Sequence, residues 1–158
     1  MSSIYIDVVV PSTILRLCCS MRPPKVYTDR RYNLNDYDPD YLKLLVDLVQ
    51  RAHPNQLKIN RAKPKNIKTE RALMQYNALH PDDQLTLEDL VKYISLDTYS
   101  YSVTSTEPGY EGEELHVFKN VVIPGFSTNK PTKIYVKFID PDGQYPIDVV
   151  SVHRNCDQ

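Results

Sequence analysis

Between residues 39 and 153 the spacing of apolar residues changes once, from a helical period to a period of two. In residues 39–94 apolar side chains recur every three or four positions, whereas in residues 99–153 they alternate with polar ones. The first pattern is typical of amphipathic helices and the second of half-buried strands. The sequence therefore predicts an α+β domain, with about three helices packed on one face of a C-terminal antiparallel sheet of about four strands. A length of 158 residues suits one such domain.

Capping residues and prolines set the predicted helix boundaries. A first helix is predicted over Pro39–Ala52, because Asp38 stands at the N-cap and proline follows at the first helical position. Thr69 is the predicted N-cap of a second helix, and Thr86 with Asp89 forms the capping box of a third. The lysine-rich connection between the first two helices has no period and is interpreted as irregular.

The chain divides into an N-terminal segment, residues 1–38, and the α+β domain, residues 39–158. Alternating side chains in Ile4–Val10 predict a short strand, and an aperiodic arm follows it. Charged residues and a proline interrupt residues 4–19, the only candidate for a signal or membrane anchor, so neither is expected. The three cysteines lack metal-type spacing and are interpreted as free thiols in a reducing, cytoplasmic compartment.

The net charge of −1 conceals two segments of opposite sign. Residues 51–71 carry seven lysines and arginines against one acid, whereas residues 82–114 carry nine acids against one lysine. A basic segment of this kind can hold phosphates through Coulomb attraction and counterion release, and a solvated loop that balances the acidic segment is the alternative. The candidate RNA-binding residues are Lys58, Arg61, Lys63, Lys65, Lys68 and Arg71.

Polar residues on the predicted strands form a candidate catalytic set. Tyr135 and Lys137 lie opposite the apolar face of one strand, His116 is out of step with its apolar neighbours, and Tyr101 and His153 lie on other strands. Metal-free RNA cleavage must deprotonate the 2′-hydroxyl, stabilise the phosphorane charge and protonate the leaving 5′-oxygen. If all five residues share one face, imidazole, phenol and ammonium groups meet these requirements; ordinary solvated sheet residues are the alternative.

Other catalytic signatures are absent from the sequence. It contains no phosphate-binding glycine loop, no zinc-ligand pair and no nucleophile elbow. Its four histidines are widely separated along the chain. Neither a cofactor nor a metal ion is therefore predicted.

Five stretches occur in the order found in a known family: TERAL (69–73), LTLEDL (85–90), YSYSVT (99–104), KIYVKF (133–138) and VVSVH (149–153). From about Tyr41 to Asn155 the chain thereby resembles the motility quorum-sensing regulator (MqsR) family of toxin endoribonucleases, which have a RelE-like fold. The resemblance implies a metal-independent enzyme that cuts single-stranded mRNA, leaves a 2′,3′-cyclic phosphate and is held by a cognate antitoxin protein.

Carried over by position, the family's catalytic residues match this chain in part. This chain has Tyr101 at the position of the family's catalytic lysine and His116 near the position of a glutamine. Tyr135 stands at the position of the family's strand tyrosine, and it is the one residue of the three that is the same. A non-catalytic protein-binding module explains the tyrosine in place of lysine without further assumption. A third alternative is a structural protein that assembles through the edge of the predicted strand Ile4–Val10.

Overall fold

The computed structural model describes residues 38–124 and 132–155, together with the backbone of Arg31 and Tyr32. The predicted strand Ile4–Val10 and the three cysteines lie outside these residues. Within the described ranges, no helix has the length and apolar character needed to cross a bilayer.

Two of the three helices begin where the capping residues predict. Helix α1 spans Pro39–Arg51, and the Asp38 carboxylate accepts a hydrogen bond from the amide of the second helical residue. Helix α3 spans Leu87–Val91, and its N-terminus carries the reciprocal Thr86–Asp89 capping box. Local side-chain hydrogen bonds to otherwise unpaired amides therefore decide both boundaries.

The segment before the second helix differs from its prediction. Helix α2 spans Pro64–Leu79, so Thr69 lies inside the helix and its hydroxyl donates to the Lys65 carbonyl instead of capping. Proline at the first helical position suits the helix start, and the prediction of Thr69 as N-cap was wrong. The connection interpreted as irregular contains a strand, Leu57–Ile59, which is too short to show a period of two.

Within the part of the chain that the structure describes, six strands form one mixed sheet, in the spatial order β1-β3-β4-β5-β6-β2. The strands are β1 (Arg31–Tyr32), β2 (Leu57–Ile59), β3 (Tyr99–Thr104), β4 (Glu114–Ile123), β5 (Thr132–Ile139) and β6 (Ile147–Arg154). The predicted α+β class with three helices is confirmed, and β3 to β6 form antiparallel neighbours. The sheet is not wholly antiparallel, because β2 pairs in parallel with β6.

Buried side chains from all three helices pack against one side of the sheet, here called the core face. Phe118, Val136, Phe138 and Val152 lie on this face and belong to the same cluster as the buried residues of α1, α2 and α3. The opposite side of β3 to β6 is called the outer face. The strand register assigns each candidate catalytic residue to one of these two faces.

Asn66 of α2 closes the edge of β6 beyond the short strand β2. Its side chain is fully buried, donates to the Val150 carbonyl at 3.1 Å and accepts from the Val152 amide at 2.9 Å. These are the backbone groups that a neighbouring strand would otherwise pair, and a buried unpaired backbone group is costly. The helix is thereby fixed beside the last strand, with its basic N-terminal half close to the outer face.

Candidate functional site

Four of the five candidate catalytic residues lie on the outer face. The strand register places Tyr101 opposite Val117, Val117 opposite Lys137, and Lys137 opposite Ser151. The next cross-strand pair on the same face is Tyr135 and His153. Paired residues of adjacent strands point to the same side of a sheet, so the predicted tyrosines, the lysine and one histidine share one face.

His116 is the exception, and its predicted place on the shared surface was wrong. It pairs with Ser102 and Phe138, both on the core face, and it is completely buried. The sequence pattern failed because β4 is buried on both sides, so its apolar residues Leu115 and Val117 occupy the outer face. His116 therefore has no part in chemistry on the outer face.

His116 instead belongs to a buried hydrogen-bond network. Its Nδ1 lies 2.6 Å from the Ser102 hydroxyl, and its Nε2 lies 2.6 Å from a carboxylate oxygen of Asp140. The Tyr41 hydroxyl donates to the same carboxylate at 2.7 Å, and the Tyr99 hydroxyl lies 2.8 Å from Ser102. The network joins α1, β3, β4 and the turn after β5, and its burial makes it a structural feature.

His153 and Tyr135 form a stacked pair on the outer face. Their ring centroids are 5.0 Å apart with 12° between the ring planes. Burial lowers the pKa of His153, and the nearby charges of Lys65, Lys63 and Lys137 lower it further. The ring Nδ1 lies 2.8 Å from the backbone carbonyl of Arg154, which fixes the proton on that nitrogen. A neutral imidazole held in this tautomer offers Nε2 as a proton acceptor.

A carboxylate joins two lysines beside this pair. One oxygen of Glu107 lies 3.2 Å from the Lys63 ammonium, and the other lies 3.4 Å from the Lys137 ammonium. The Lys63 ammonium also donates to Ser151 at 3.1 Å. Burial acts to raise the pKa of Glu107, but the hydrogen bond from Lys63 and the charge of Lys137 outweigh it and hold the pKa below its usual value.

Two concave surfaces meet at the stacked pair. The first, called the polar pocket, has a volume of about 460 Å³ and is lined in part by Tyr101, Glu107, Tyr135 and Lys137. The second, called the basic cleft, has a volume of about 290 Å³ and runs between α2 and β6. It is lined by Lys65, Lys68, Thr69, Ala72, His153 and Arg154. Tyr135 thus borders one depression, and its partner His153 borders the other.

The predicted RNA-binding residues separate into four groups. Lys65 and Lys68 line the basic cleft, and Lys63 joins the carboxylate cluster. Arg61 pairs with Glu70 and Glu88 at 3.1 and 3.0 Å, so part of the basic segment balances the acidic segment, as the alternative interpretation expected. Lys58 on β2 and Arg71 on α2 are exposed and line neither depression.

Sequence reasoning missed three residues at this site. Glu107 was counted only as one acid of the acidic segment, Arg154 was not singled out, and Lys119 was not considered. Glu107 lies 44 positions from Lys63, and no local pattern signals their contact. Lys119 lies at a register shift of β4, a strand buried on both sides, so alternation along the sequence does not reveal its position.

Comparison with protein-family models, with curated proteins and with solved structures finds no significant match to this chain. The residues and geometry of the outer face are therefore the basis on which a function can be proposed.

Proposed function

We propose that the chain is a metal-independent endoribonuclease toxin that cuts single-stranded mRNA, an MqsR-like protein with a RelE-like fold whose partner is a cognate antitoxin. The observation that carries the proposal is the stacked pair of His153 and Tyr135, which stands between the basic cleft and the polar pocket. An RNA strand lying across this boundary places one nucleotide on each side of the pair. The scissile phosphate then lies beside an imidazole, a phenol and ammonium groups.

The electrostatics of the two depressions support a polyanionic ligand. Lys65, Lys68 and Arg154 line the basic cleft, where each can meet a phosphate of the strand. Tyr101 and Tyr135 line the polar pocket, where aromatic rings can stack with unpaired bases. Stacking platforms beside a positively charged groove are typical of proteins that bind single strands with little sequence preference.

The proposed reaction is transfer of the phosphate to the neighbouring 2′-oxygen. His153 Nε2 accepts the proton of the 2′-hydroxyl, the 2′-oxygen–phosphorus bond forms, and the bond from phosphorus to the 5′-oxygen breaks. The Tyr135 hydroxyl donates its proton to the leaving oxygen, and the proton held by His153 then returns to Tyr135 through water, which restores both groups. The products are a 2′,3′-cyclic phosphate and a 5′-hydroxyl end, and Lys137 stabilises the charge on the phosphorane.

The depressed pKa of His153 suits this role. A base that is neutral at physiological pH is ready to accept a proton, and its Nδ1 hydrogen bond to the Arg154 carbonyl orients the ring. His116, in contrast, takes no part in the proposed reaction, because it lies on the core face. The acid and base are therefore drawn from neighbouring strands on one side of the sheet.

The test is cleavage of an end-labelled single-stranded RNA by the purified chain in the presence of a chelator. Wild type is expected to give fragments that end in cyclic phosphate. His153→Asn and Tyr135→Phe are each expected to reduce the rate by about a hundredfold or more, the usual contribution of a positioned acid or base. His53→Asn is the matched control, because His53 is exposed and outside both depressions. Absence of cutting by wild type, or equal rates in all four proteins, rejects the proposal.

A non-catalytic protein-binding module is the second candidate, and the Glu107 cluster favours it. This carboxylate already pairs with Lys63 and Lys137, so both ammonium groups have an anion before any ligand arrives. Expression alone separates the candidates: a nuclease toxin arrests growth of its host, and His153→Asn abolishes the arrest. A binding module is tolerated in both forms.

A further inference from the structure

A β-bulge in β4 changes the direction of the Lys119 side chain, which has no role in the reaction proposed for the site. In the register of β4 with β5, Phe118 pairs with Val136 and Val121 pairs with Ile134. Two residues of β4, Lys119 and Asn120, therefore stand opposite the single residue Tyr135 of β5. An extra residue of this kind bends the strand and redirects side chains, and bulges are frequent beside active sites.

A side-chain hydrogen bond and a left-handed residue stabilise the bulge. Asn120 has a left-handed backbone, with φ of 56°, and its side-chain oxygen accepts a hydrogen bond from Asn155 at 2.6 Å. The left-handed conformation is one that asparagine tolerates better than most residues. Lys119 is thereby carried on a fixed backbone next to the stacked pair.

The Lys119 ammonium lies over the ring of Tyr101, 5.2 Å from its centroid. A tyrosine ring attracts a cation through its negative face without neutralising the charge. Among the described residues no carboxylate pairs with Lys119, whereas Lys63 and Lys137 share the carboxylate of Glu107. Lys119 is therefore the lysine beside Tyr101 and Tyr135 whose full charge remains available to an incoming anion.

We propose that Lys119 binds the scissile phosphate of the RNA strand and stabilises its charge, a contact that rests on the proposed nuclease function. Tyr101 then orients the Lys119 side chain through the contact of its ring with the ammonium group. The phosphate lies over the bulge, between Lys119 and the stacked pair. Lys119 is a catalytic residue in this proposal because it touches the reacting phosphate, whereas Tyr101 is a positioning residue because it acts through Lys119.

The first measurement is RNA cleavage by the full chain and four variants. Lys119→Met is expected to lower kcat/KM at least tenfold, and Lys119→Arg is expected to stay within about threefold of wild type, since it keeps the charge. Lys43→Met is the matched control, because this exposed lysine lies on α1, a helix that packs against the core face of the sheet. Tyr101→Leu is expected to weaken cleavage less than Lys119→Met, with the loss appearing in KM.

The second measurement separates the Lys119 contact from catalysis. A fluorescent single-stranded oligodeoxynucleotide, which has no 2′-hydroxyl to attack, is titrated at several KCl concentrations. Each lysine that contacts a phosphate of a single strand adds about 0.7 to the slope of log affinity against log salt. Lys119→Met is expected to reduce that slope by about this amount, whereas Lys43→Met leaves it unchanged.

The outcomes distinguish the two proposals. If wild type cuts RNA and Lys119→Met cuts equally well with an unchanged salt slope, the Lys119 contact is refuted and the nuclease stands. If wild type binds the oligonucleotide with a Lys119-dependent slope but cuts no RNA, the binding site stands and the nuclease is refuted. If wild type neither cuts nor binds, both are overturned.

Discussion

Replacing His116 with alanine is expected to cost much of the stability of the fold while leaving the outer face intact. The change removes two hydrogen bonds of 2.6 Å, to Ser102 and to Asp140. The Asp140 carboxylate, whose side chain is only 1% exposed, thereby loses one of its hydrogen-bond donors. Leaving a buried carboxylate short of one hydrogen-bond donor, together with the cavity that the imidazole ring vacates, typically costs about 3–5 kcal/mol. Folded domains are stable by only about 5–15 kcal/mol, so the variant retains a reduced margin.

Urea denaturation and thermal denaturation, each followed by circular dichroism, measure this cost as a free energy and as a shift of Tm. A change of 1 kcal/mol moves the Tm of a domain of this size by about 2–4 °C, so His116→Ala is expected to lower Tm by roughly 6–20 °C. Val117→Ala is the matched control, because it truncates a fully buried residue of the same strand that points to the other face. Its cost is expected to be smaller, since no buried polar group loses a partner.

A double-mutant cycle with Asp140→Ala tests whether the network is the cause. Removing both partners leaves no orphaned carboxylate, so the double variant is expected to cost about 1–3 kcal/mol less than the sum of the single changes. Additive effects, or a cost of His116→Ala below about 1 kcal/mol, refute the reasoning. So does a folded His116→Ala protein that has lost RNA cleavage, because this histidine would then act on the outer face.

Three further predictions follow from single contacts. In an NMR titration His153 is expected to show a pKa below 6.5, and Lys65→Met is expected to raise it, because the Lys65 charge is one cause of the depression. As pH falls, His153 takes up a proton at a higher pH in the unfolded chain than in the folded chain, because folding lowers its pKa. The free energy of unfolding is therefore expected to decrease as pH falls below about 6.5, measured by urea denaturation across that range. Asn66→Ala is expected to cost about 1–3 kcal/mol in urea, because two buried backbone groups of β6 lose their partner; an unchanged midpoint contradicts this. Arg61→Met is expected to change stability by less than about 1 kcal/mol, because its side chain is 43% exposed and water screens both ion pairs; a larger loss that persists in 1 M KCl contradicts this.

The elements that could be predicted are those whose signal is local. Asp38 before proline decides the start of α1, and the Thr86–Asp89 box decides the start of α3. Strand β5 is buried only on alternate residues, so its sequence correctly places Tyr135 and Lys137 on the outer face. In each case the physical cause acts within a few residues, either as a hydrogen bond to the adjacent turn or as alternation on one strand.

The sequence by itself thus determined the α+β class, two helix starts and the polar face of β5. Tertiary structure decided the composition of the site, because the central strand β4 is buried on both sides and its alternation does not reveal which face is polar. Only pairing with Ser102 and Asp140 places His116 on the core face. Likewise, only the approach of a distant loop brings Glu107 to the lysines of the outer face, since the Coulomb energy of such a pair depends on its distance in space and on burial.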